Sequence, residues 1–220
     1  MDSTIRLYSY WRSSASYRVR IALNLKQLKH EIVPVNLVKD GGEHHLADFH
    51  HLNPQERVPV LIDGGRVIRQ SLAIIEYLEE VYDGNHLLPG TARERARARG
   101  LAHLIATDIS PLGNLSVLQY LEHEDGMPQI ERERWVRTWI ERGFAAFEEM
   151  LADNPSTGDF CEGDLPSIAD CCLVPQVYNA QRIEVDLTPY PTLRRINAHC
   201  LSLPAFDLAR PEKQGDAPKT

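Results

Sequence analysis

Alternating apolar and polar residues open the chain, and a helical pattern follows them. Residues 5–10 alternate and so predict a strand. Apolar residues from Tyr17 to Leu28 then recur at spacings of four, four and three, which places them on one face of a helix. A serine directly before this run is a suitable N-cap. The pattern therefore predicts a β-α unit with a polar turn between strand and helix.

The next sixty residues complete a small α/β domain. The predicted elements are a strand at 31–37, an irregular polar segment at 38–57, strands at 58–63 and 66–69, and a helix capped by Ser71. Pro34 favours the edge of the sheet for the second strand, because proline cannot donate a ladder hydrogen bond. Gly64-Gly65 is a two-residue hairpin signal between the last two strands.

Everything after residue 92 predicts helix. Helices are expected at about 93–108, at 112–121, around Val136–Leu151, from Ser167 onward, and at 191–202. Ser167 and Asp170 stand at capping-box spacing, which marks a helix start. The predicted organisation is an α/β domain at 1–82, a linker at 83–92, an all-helical domain at 93–214, and a frayed tail at 215–220.

Composition excludes several functional classes. The 220-residue chain has a net charge of −7, carried by the part after residue 82, so a nucleic-acid partner is not expected. Apolar runs are only a few residues long and no signal peptide is visible, so we expect a cytoplasmic protein without membrane contact. The four cysteines form no Cys-x-x-Cys pair, and we expect them to be reduced and buried.

The polar turn before the first helix is the strongest candidate site. A helix N-terminus stabilises an anion and lowers the pKa of a nearby thiol. The turn, Ser13 to Arg18, contains no cysteine, so a thiolate would have to arrive with a ligand. A serine hydroxyl could then donate a hydrogen bond to that sulfur. The simpler alternative is that these serines only cap the helix.

Two other segments are weaker candidates for ligand binding. Val58-Pro59 stands at a strand start, where a cis proline would expose the Val58 backbone to an extended peptide-like ligand. An edge-strand proline is the alternative. Gln70-Ser71 begins a helix whose free N–H groups would bind a carboxylate, or the serine is a plain N-cap. Together these features suit an anionic, extended, thiol-bearing peptide.

Four histidines lie within eight residues, at His44, His45, His50 and His51. Such a cluster can indicate a metal site. No cysteine accompanies it, so a solvent-facing loop is the favoured interpretation. We predict no metal, and at most one of these histidines touching a ligand.

Several stretches resemble zeta-class glutathione transferases. They are Ser13-Ser14-Ala15-Ser16-Tyr17-Arg18-Val19-Arg20-Ile21-Ala22-Leu23, Asn53-Pro54 with Val58-Pro59, Gln70 to Glu79, Asn114 to Leu118, Leu173 to Val177, and Val185 to Pro191. The resemblance implies a thioredoxin-like α/β N-terminal domain, an all-α C-terminal domain, a homodimer, and a cis bond before Pro59. It also implies glutathione as cofactor and a small unsaturated diacid as substrate.

The resemblance also assigns roles to individual residues. Ser13, with Ser14, would hold the glutathione thiolate, and Arg182 would face a substrate carboxylate. The implied glutathione contacts are Ser13, Ser14, Ala15, Ser16, Tyr17, Arg18, His44, Val58, Gln70, Ser71, Ser110, Asn114, Leu115 and Ser116. Arg12 and Arg18 are further candidates for the substrate carboxylates, because a guanidinium matches their geometry. Both could equally be structural ion-pair residues.

The chain differs from its relatives at two positions of the implied site, and several activities are compatible with the resemblance. Relatives often carry a cysteine where this chain has Ala15, and a larger side chain where it has Ser110. The implied reaction is the glutathione-dependent isomerisation of maleylacetoacetate in tyrosine and phenylalanine catabolism. The alternatives are maleylpyruvate isomerisation, general glutathione conjugation, and a non-catalytic relative that binds a partner protein. Glutathione consumption would identify a conjugating enzyme, and failure to bind glutathione would favour the partner-binding alternative.

Overall fold

The computed structural model describes residues 4–88 and 90–219. The chain forms two compact units. One consists of residues up to Leu87 together with those from Ser202 onward, and the other runs from Leu88 to Leu201. The first unit is an α/β structure and the second is helical.

The first unit is built on four strands, β1 (Ile5–Ser9), β2 (His30–Pro34), β3 (Val60–Asp63) and β4 (Arg66–Arg69). They form a mixed sheet of order β2-β1-β3-β4, in which β1 is parallel to β2 and antiparallel to β3. The strand with Pro34 lies at the edge, as predicted. Gly64 and Gly65 have φ angles of 55° and 82°, and they connect the antiparallel β3 and β4. The hairpin prediction is thereby confirmed.

Three helices accompany the sheet, α1 (Ser14–Leu25), α2 (Ala47–Leu52) and α3 (Ser71–Val81). Val19 and Ile21 of α1 are fully buried, as are Ile74 and Leu78 of α3, so these helices and the sheet form the core. Short α2 and two 3₁₀ turns, Lys39–Gly41 and Glu43–His45, lie in the segment predicted to be irregular. The six residues of α2 bury only Phe49, and a single apolar residue produces no detectable period.

The helical unit contains α4 (Ala92–His103), α5 (Leu115–His123), α6 (Gln129–Leu151), α7 (Ile168–Arg182) and α8 (Pro191–Ser202). A π-helical stretch, Leu104–Ile109, continues from α4. Gly143 of α6 permits close packing there, because a Cβ atom at this position would lie 2.2 Å from Ile109 Cδ1. No helix within the described residues combines the length and apolar character that crossing a membrane requires.

The predicted capping box at the start of α7 is confirmed. Ser167 Oγ accepts from Ala169 N at 3.2 Å, and Asp170 Oδ2 accepts from Ser167 N at 2.8 Å. Asp170 is fully buried, which raises the pKa of its carboxyl, and its other oxygen accepts from Cys161 N at 2.9 Å. All four cysteines are buried and free, as expected.

The last segment of the chain belongs to the first unit. It contains α9 (Pro204–Leu208), whose Phe206 is fully buried. The sequence predicts that residues up to 214 belong to the helical domain and that 215–220 form a frayed tail. In the structure, residues from Ser202 onward group with the sheet, and Asp216 accepts a hydrogen bond from the backbone of Trp11. The tail therefore has a fixed attachment point, which no local pattern reveals.

Candidate active site

The turn between β1 and α1 places Ser13 at the N-cap of the helix. Its side-chain oxygen accepts from Ser16 N at 3.2 Å, and its own N–H donates to Tyr10 O at 3.0 Å. The predicted N-cap is therefore confirmed. Because the Ser13 oxygen accepts from the helix, its hydroxyl hydrogen can be donated to a ligand. Ser14 and Ala15, like Ser13, are half-buried, whereas Ser16 is buried.

Two helix N-termini of the first unit carry no negative side chain in their first turns. This holds for α1 and for α3, although the whole chain has a net charge of −7. Each N-terminus offers free N–H groups and the positive end of a helix dipole. Both positions are thus suited to an anion from outside the chain.

Ser71 does not cap α3, so that prediction is wrong. It is the first residue of the helix, and Gln70 occupies the N-cap position with a φ of 70°. A serine caps from the position before the helix, and Ser71 comes one residue too late. Its hydroxyl oxygen instead accepts from Arg18 Nη1 at 3.1 Å, and both residues are buried. Arg18 of α1 thereby links the two helix starts.

The side chain of Gln70, unlike that of Ser71, is exposed. The Gln70 side chain donates from Nε2 to Gln55 Oε1 at 2.8 Å.

The Val58-Pro59 peptide bond is cis, as the resemblance implies. Pairing of β3 with β1 begins at Val60, opposite Tyr8, so Val58 lies two residues before the paired strand. The side chain of Val58 is buried.

His44 differs from the other histidines of its segment. It is only 7% exposed, and its Nδ1 has no hydrogen-bond partner among the described residues. Burial lowers the pKa of His44, and neighbouring His45 acts in the same direction. Gly42 makes room for the ring, because a Cβ atom there would lie 2.2 Å from His44 Cε1. His44 is thus held neutral with a nitrogen available for a further hydrogen bond.

The remaining histidines lie on the surface. His45 and His50 contact the two carboxylate oxygens of Glu56 through Nδ1, at 2.6 and 2.9 Å. These bonds lower the pKa of the Glu56 carboxyl. His51 Nδ1 lies 2.8 Å from the carbonyl oxygen of Ala47. Within the described residues, no group of three or more His, Cys, Asp or Glu side chains is arranged to hold a metal ion.

The other predicted site residues belong to the helical unit. Ser110 donates from Oγ to Gln176 Oε1 at 2.9 Å, and Gln176 is buried in α7. Asn114 precedes α5, and Leu115 and Ser116 begin it. The prediction did not include Gln176. A lone amide within the apolar stretch Leu173-Val174-Pro175-Gln176-Val177 was the available signal, because a buried amide requires a partner.

Arg182 is the last residue of α7 and is exposed. Arg12, a further candidate, is half-buried, and its guanidinium carbon lies 5.9 Å from the centre of the Trp11 ring. Arg12 and Arg182 belong to different units of the chain. Their assignment to substrate carboxylates stays a prediction.

Comparison with known proteins gives the family. Residues 7–86 match the model of the glutathione S-transferase N-terminal domain. The probable maleylacetoacetate isomerase of Vibrio cholerae is 53% identical over 211 residues, covering 96% of this chain and 97% of the relative. A solved bacterial maleylpyruvate isomerase, described as a zeta-class glutathione S-transferase, shares 46% identity at a TM-score of 0.94. That match covers 97% of this chain and all of the other.

The chain belongs to the zeta class of the glutathione transferases. A further zeta-type structure is that of the maleylacetoacetate isomerase of Methylobacterium extorquens AM1, which contains malonate and glutathione. It is 41% identical, has a TM-score of 0.94, and covers 97% of this chain and 100% of its own. The thioredoxin-like N-terminal domain and the helical C-terminal part of the glutathione transferase fold are therefore confirmed.

Proposed function

We propose that this zeta-class glutathione transferase is a glutathione-dependent cis–trans isomerase that converts maleylacetoacetate to fumarylacetoacetate. The identity with isomerases over nearly the full chain supports this proposal. The observation that carries it is Ser13 at the N-terminus of α1, with its hydroxyl oxygen bonded to the helix and its hydrogen available. The reaction would belong to tyrosine and phenylalanine catabolism.

The residues of the first unit fit glutathione by their chemistry. Glutathione is an anionic peptide with a thiol, and the starts of α1 and α3 both lack acidic side chains in their first turns. Ser13 would contact the sulfur, and the first N–H groups of α3, with Ser71, would receive a carboxylate. The backbone of Val58 would pair with the peptide as a neighbouring strand does. His44 would offer its Nδ1, which has no hydrogen-bond partner in the described part of the chain.

The chain's own groups would keep the sulfur ionised and orient it. When bound, glutathione supplies a thiolate that adds to the conjugated cis double bond and leaves again after rotation. Ser13 donates a hydrogen bond to that sulfur, and the dipole of α1 stabilises its negative charge. Arg12 and Arg182 are the proposed partners of the substrate carboxylates, since a guanidinium forms paired hydrogen bonds with a carboxylate. The buried Arg18 instead holds Ser71.

Maleylpyruvate is the second candidate substrate. The solved maleylpyruvate isomerase matches this chain with a TM-score of 0.94, equal to that of the maleylacetoacetate isomerase structure from Methylobacterium extorquens AM1. Both substrates undergo the same chemistry. Fold similarity therefore does not distinguish the two substrates. A direct comparison of the turnover of each diacid would distinguish them. The roles of Ser110, Asn114, Leu115, Ser116 and Arg182 stay predictions from the resemblance.

An assay of the purified protein with each diacid, with and without glutathione, tests this function. We expect trans product only when glutathione is present, with the thiol concentration unchanged at the end. Net loss of glutathione would identify a conjugating transferase instead. Turnover at full rate in thiol-free buffer would contradict the proposal, and failure to bind immobilised glutathione would favour a partner-binding protein.

We further propose that the protein is a homodimer, as the resemblance implies, and that it is located in the cytoplasm. Light scattering coupled to size-exclusion chromatography should give twice the 25.0 kDa chain mass. A mass of a single chain at assay concentration would contradict the dimer. Fractionation of cells that express the protein would test its location.

A further inference from the structure

The side chain of Arg20 connects the end of β1 to the last segment of the chain. It lies within α1 and is only 2% exposed. Its Nη1 donates to Ser9 Oγ at 3.0 Å and to Tyr10 O at 3.4 Å, and Nη2 donates to Trp11 O at 3.0 Å. Its Nε donates to Ala209 O at 3.1 Å. One buried guanidinium thus binds the turn before α1 and the chain after α9 together.

The same turn carries Ser13. The carbonyl oxygen of Tyr10, which accepts from Arg20, also accepts from Ser13 N at 3.0 Å. Trp11 is held at both of its backbone groups, because its N–H donates to Asp216 Oδ2 at 2.9 Å. Arg20 and Asp216 therefore both contact the backbone of the turn that ends at Ser13.

The carboxylate of Asp216 favours the charged form of Arg20. Burial lowers the pKa of Arg20 to about 10, while the carboxylate of Asp216 acts in the opposite direction. Arg20 consequently remains protonated at neutral pH and keeps all of its donors. Asn24 Nδ2 adds a bond to Ala205 O at 2.9 Å, and fully buried Phe206 anchors the segment. The segment from Ser202 onward is thus an integral part of the first unit.

We propose that Arg20 and Asp216 are positioning residues for Ser13, and that the C-terminal segment is needed to keep the thiolate site in its working geometry. This inference rests on the proposed function. A hydroxyl that moves by about 1 Å from its partner can lower a rate by on the order of a hundredfold. Loss of the Asp216 carboxylate would release Trp11 and so loosen the turn that ends at Ser13.

The test compares Asp216→Ala and Asp216→Asn with Asp207→Ala. Asp207 lies in α9, and its carboxylate contacts Lys213 and Arg210. We expect Asp216→Ala to reduce kcat roughly tenfold to hundredfold and to raise the pKa of the bound glutathione thiol, followed through thiolate absorbance. Asp216→Asn, which keeps an acceptor oxygen for Trp11, should recover most of the activity. Asp207→Ala should resemble the wild type.

Several outcomes would overturn this inference. One is a kcat within about twofold of wild type, together with an unchanged thiol pKa, for Asp216→Ala and for a chain ending at Gln214. Another is a drop only in unfolding temperature, with turnover per folded molecule unchanged, since a purely structural role predicts that result. An equal loss in Asp207→Ala would also count against it. If wild-type protein shows no glutathione-dependent turnover, the proposed function fails first and the inference fails with it.

Discussion

Arg18 donates a hydrogen bond from Nη1 to Ser71 Oγ at 3.1 Å, and both side chains are buried. The bond joins Arg18, one turn into α1, to the first residue of α3, and neither helix has an acidic residue in its first turn. Ser71 accepts this bond, so its own hydroxyl hydrogen can be donated to a ligand carboxylate. One buried cation thus orients the Ser71 hydroxyl and adds positive charge near the proposed anion site.

Ser71→Ala should weaken both the fold and glutathione binding. The change removes one hydrogen-bond acceptor from the buried Arg18 guanidinium, and loss of a buried hydrogen-bond partner costs about 1–3 kcal/mol of the free energy of unfolding. We expect a higher KM for glutathione with a smaller change in kcat, because the proposed contact of Ser71 is with a glutathione carboxylate and not with the sulfur. Denaturant unfolding and steady-state kinetics measure the two effects.

Ser156→Ala is a suitable control for that variant, since Ser156 is exposed and belongs to the helical unit. Surface substitutions usually change stability by less than about 0.5 kcal/mol. An effect of Ser71→Ala within that range, together with an unchanged KM, would refute the role given to the Arg18–Ser71 bond.

Ser13→Ala separates capping from catalysis. Loss of the cap should lower the free energy of unfolding by about 1 kcal/mol. Loss of the hydrogen bond to the sulfur should lower kcat roughly a hundredfold or more, by analogy with removal of one preorganised donor from an active site. Both quantities come from one preparation by thermal unfolding and by turnover per folded molecule.

Ser13→Thr is the matched control, because threonine keeps a hydroxyl and is also an N-cap residue. It should retain a larger share of the turnover than Ser13→Ala. Unchanged turnover in Ser13→Ala, with only the stability loss, would mean that Ser13 is an N-cap and nothing more.

Features that depend on neighbouring residues could be predicted from the sequence. Ser13 as N-cap, the Gly64-Gly65 hairpin and the Ser167–Asp170 capping box each depend on residues within three positions of one another. The edge position of Pro34 follows from its missing N–H. In each case the backbone geometry and the residue type decide the outcome without help from distant parts of the chain.

Features that depend on distant partners could not be predicted. Trp11 and Asp216 are 205 positions apart, and no periodicity connects them. Ser71 looks like a cap, but a cation from α1, 53 positions away, determines its contact. The boundary at Ser202 was missed for the same reason, since Phe206 gains its burial from the first unit. The family resemblance supplied the roles of the site residues, which spacing alone left open.

The four cysteines should take no part in turnover. Cys161, Cys171, Cys172 and Cys200 are buried, and burial raises the thiol pKa of Cys161, Cys171 and Cys200. Only a thiolate is strongly nucleophilic, so these groups should resist alkylation in the folded protein. We expect iodoacetamide treatment, followed by its removal, to leave activity unchanged, with four labelled cysteines appearing only after denaturation.

Ala15→Cys provides the positive control for this experiment. Ala15 is half-buried in the first turn of α1, where the helix N-terminus lowers the pKa of a thiol. This variant should be labelled in the folded state, as mass spectrometry would show. Labelling of a native cysteine with a proportional loss of turnover would show that the protein contributes its own reactive sulfur.

Stability should fall in mild acid because of His44. Burial holds the pKa of His44 below its ordinary value of 6.5, so the unfolded chain takes up a proton that the folded chain does not. The His44 contribution to stability is therefore complete above pH 6.5 and decreases as the pH falls from 6.5 toward the lowered pKa. His44→Gln should remove this part of the acid slope, which urea unfolding between pH 7.5 and 5 would measure.

His51→Gln is the matched control, and it tests whether His44 causes the loss of stability in mild acid. His51 lies in the same segment but is exposed, so its substitution should leave the slope unchanged. The carboxyl of Glu56 has a lowered pKa and titrates below this pH range, and therefore contributes at lower pH. A slope that persists in His44→Gln would place the titrating group elsewhere. A slope that disappears should be accompanied by weaker glutathione binding, because the proposed ligand contact and the acid sensitivity come from the same buried, neutral ring.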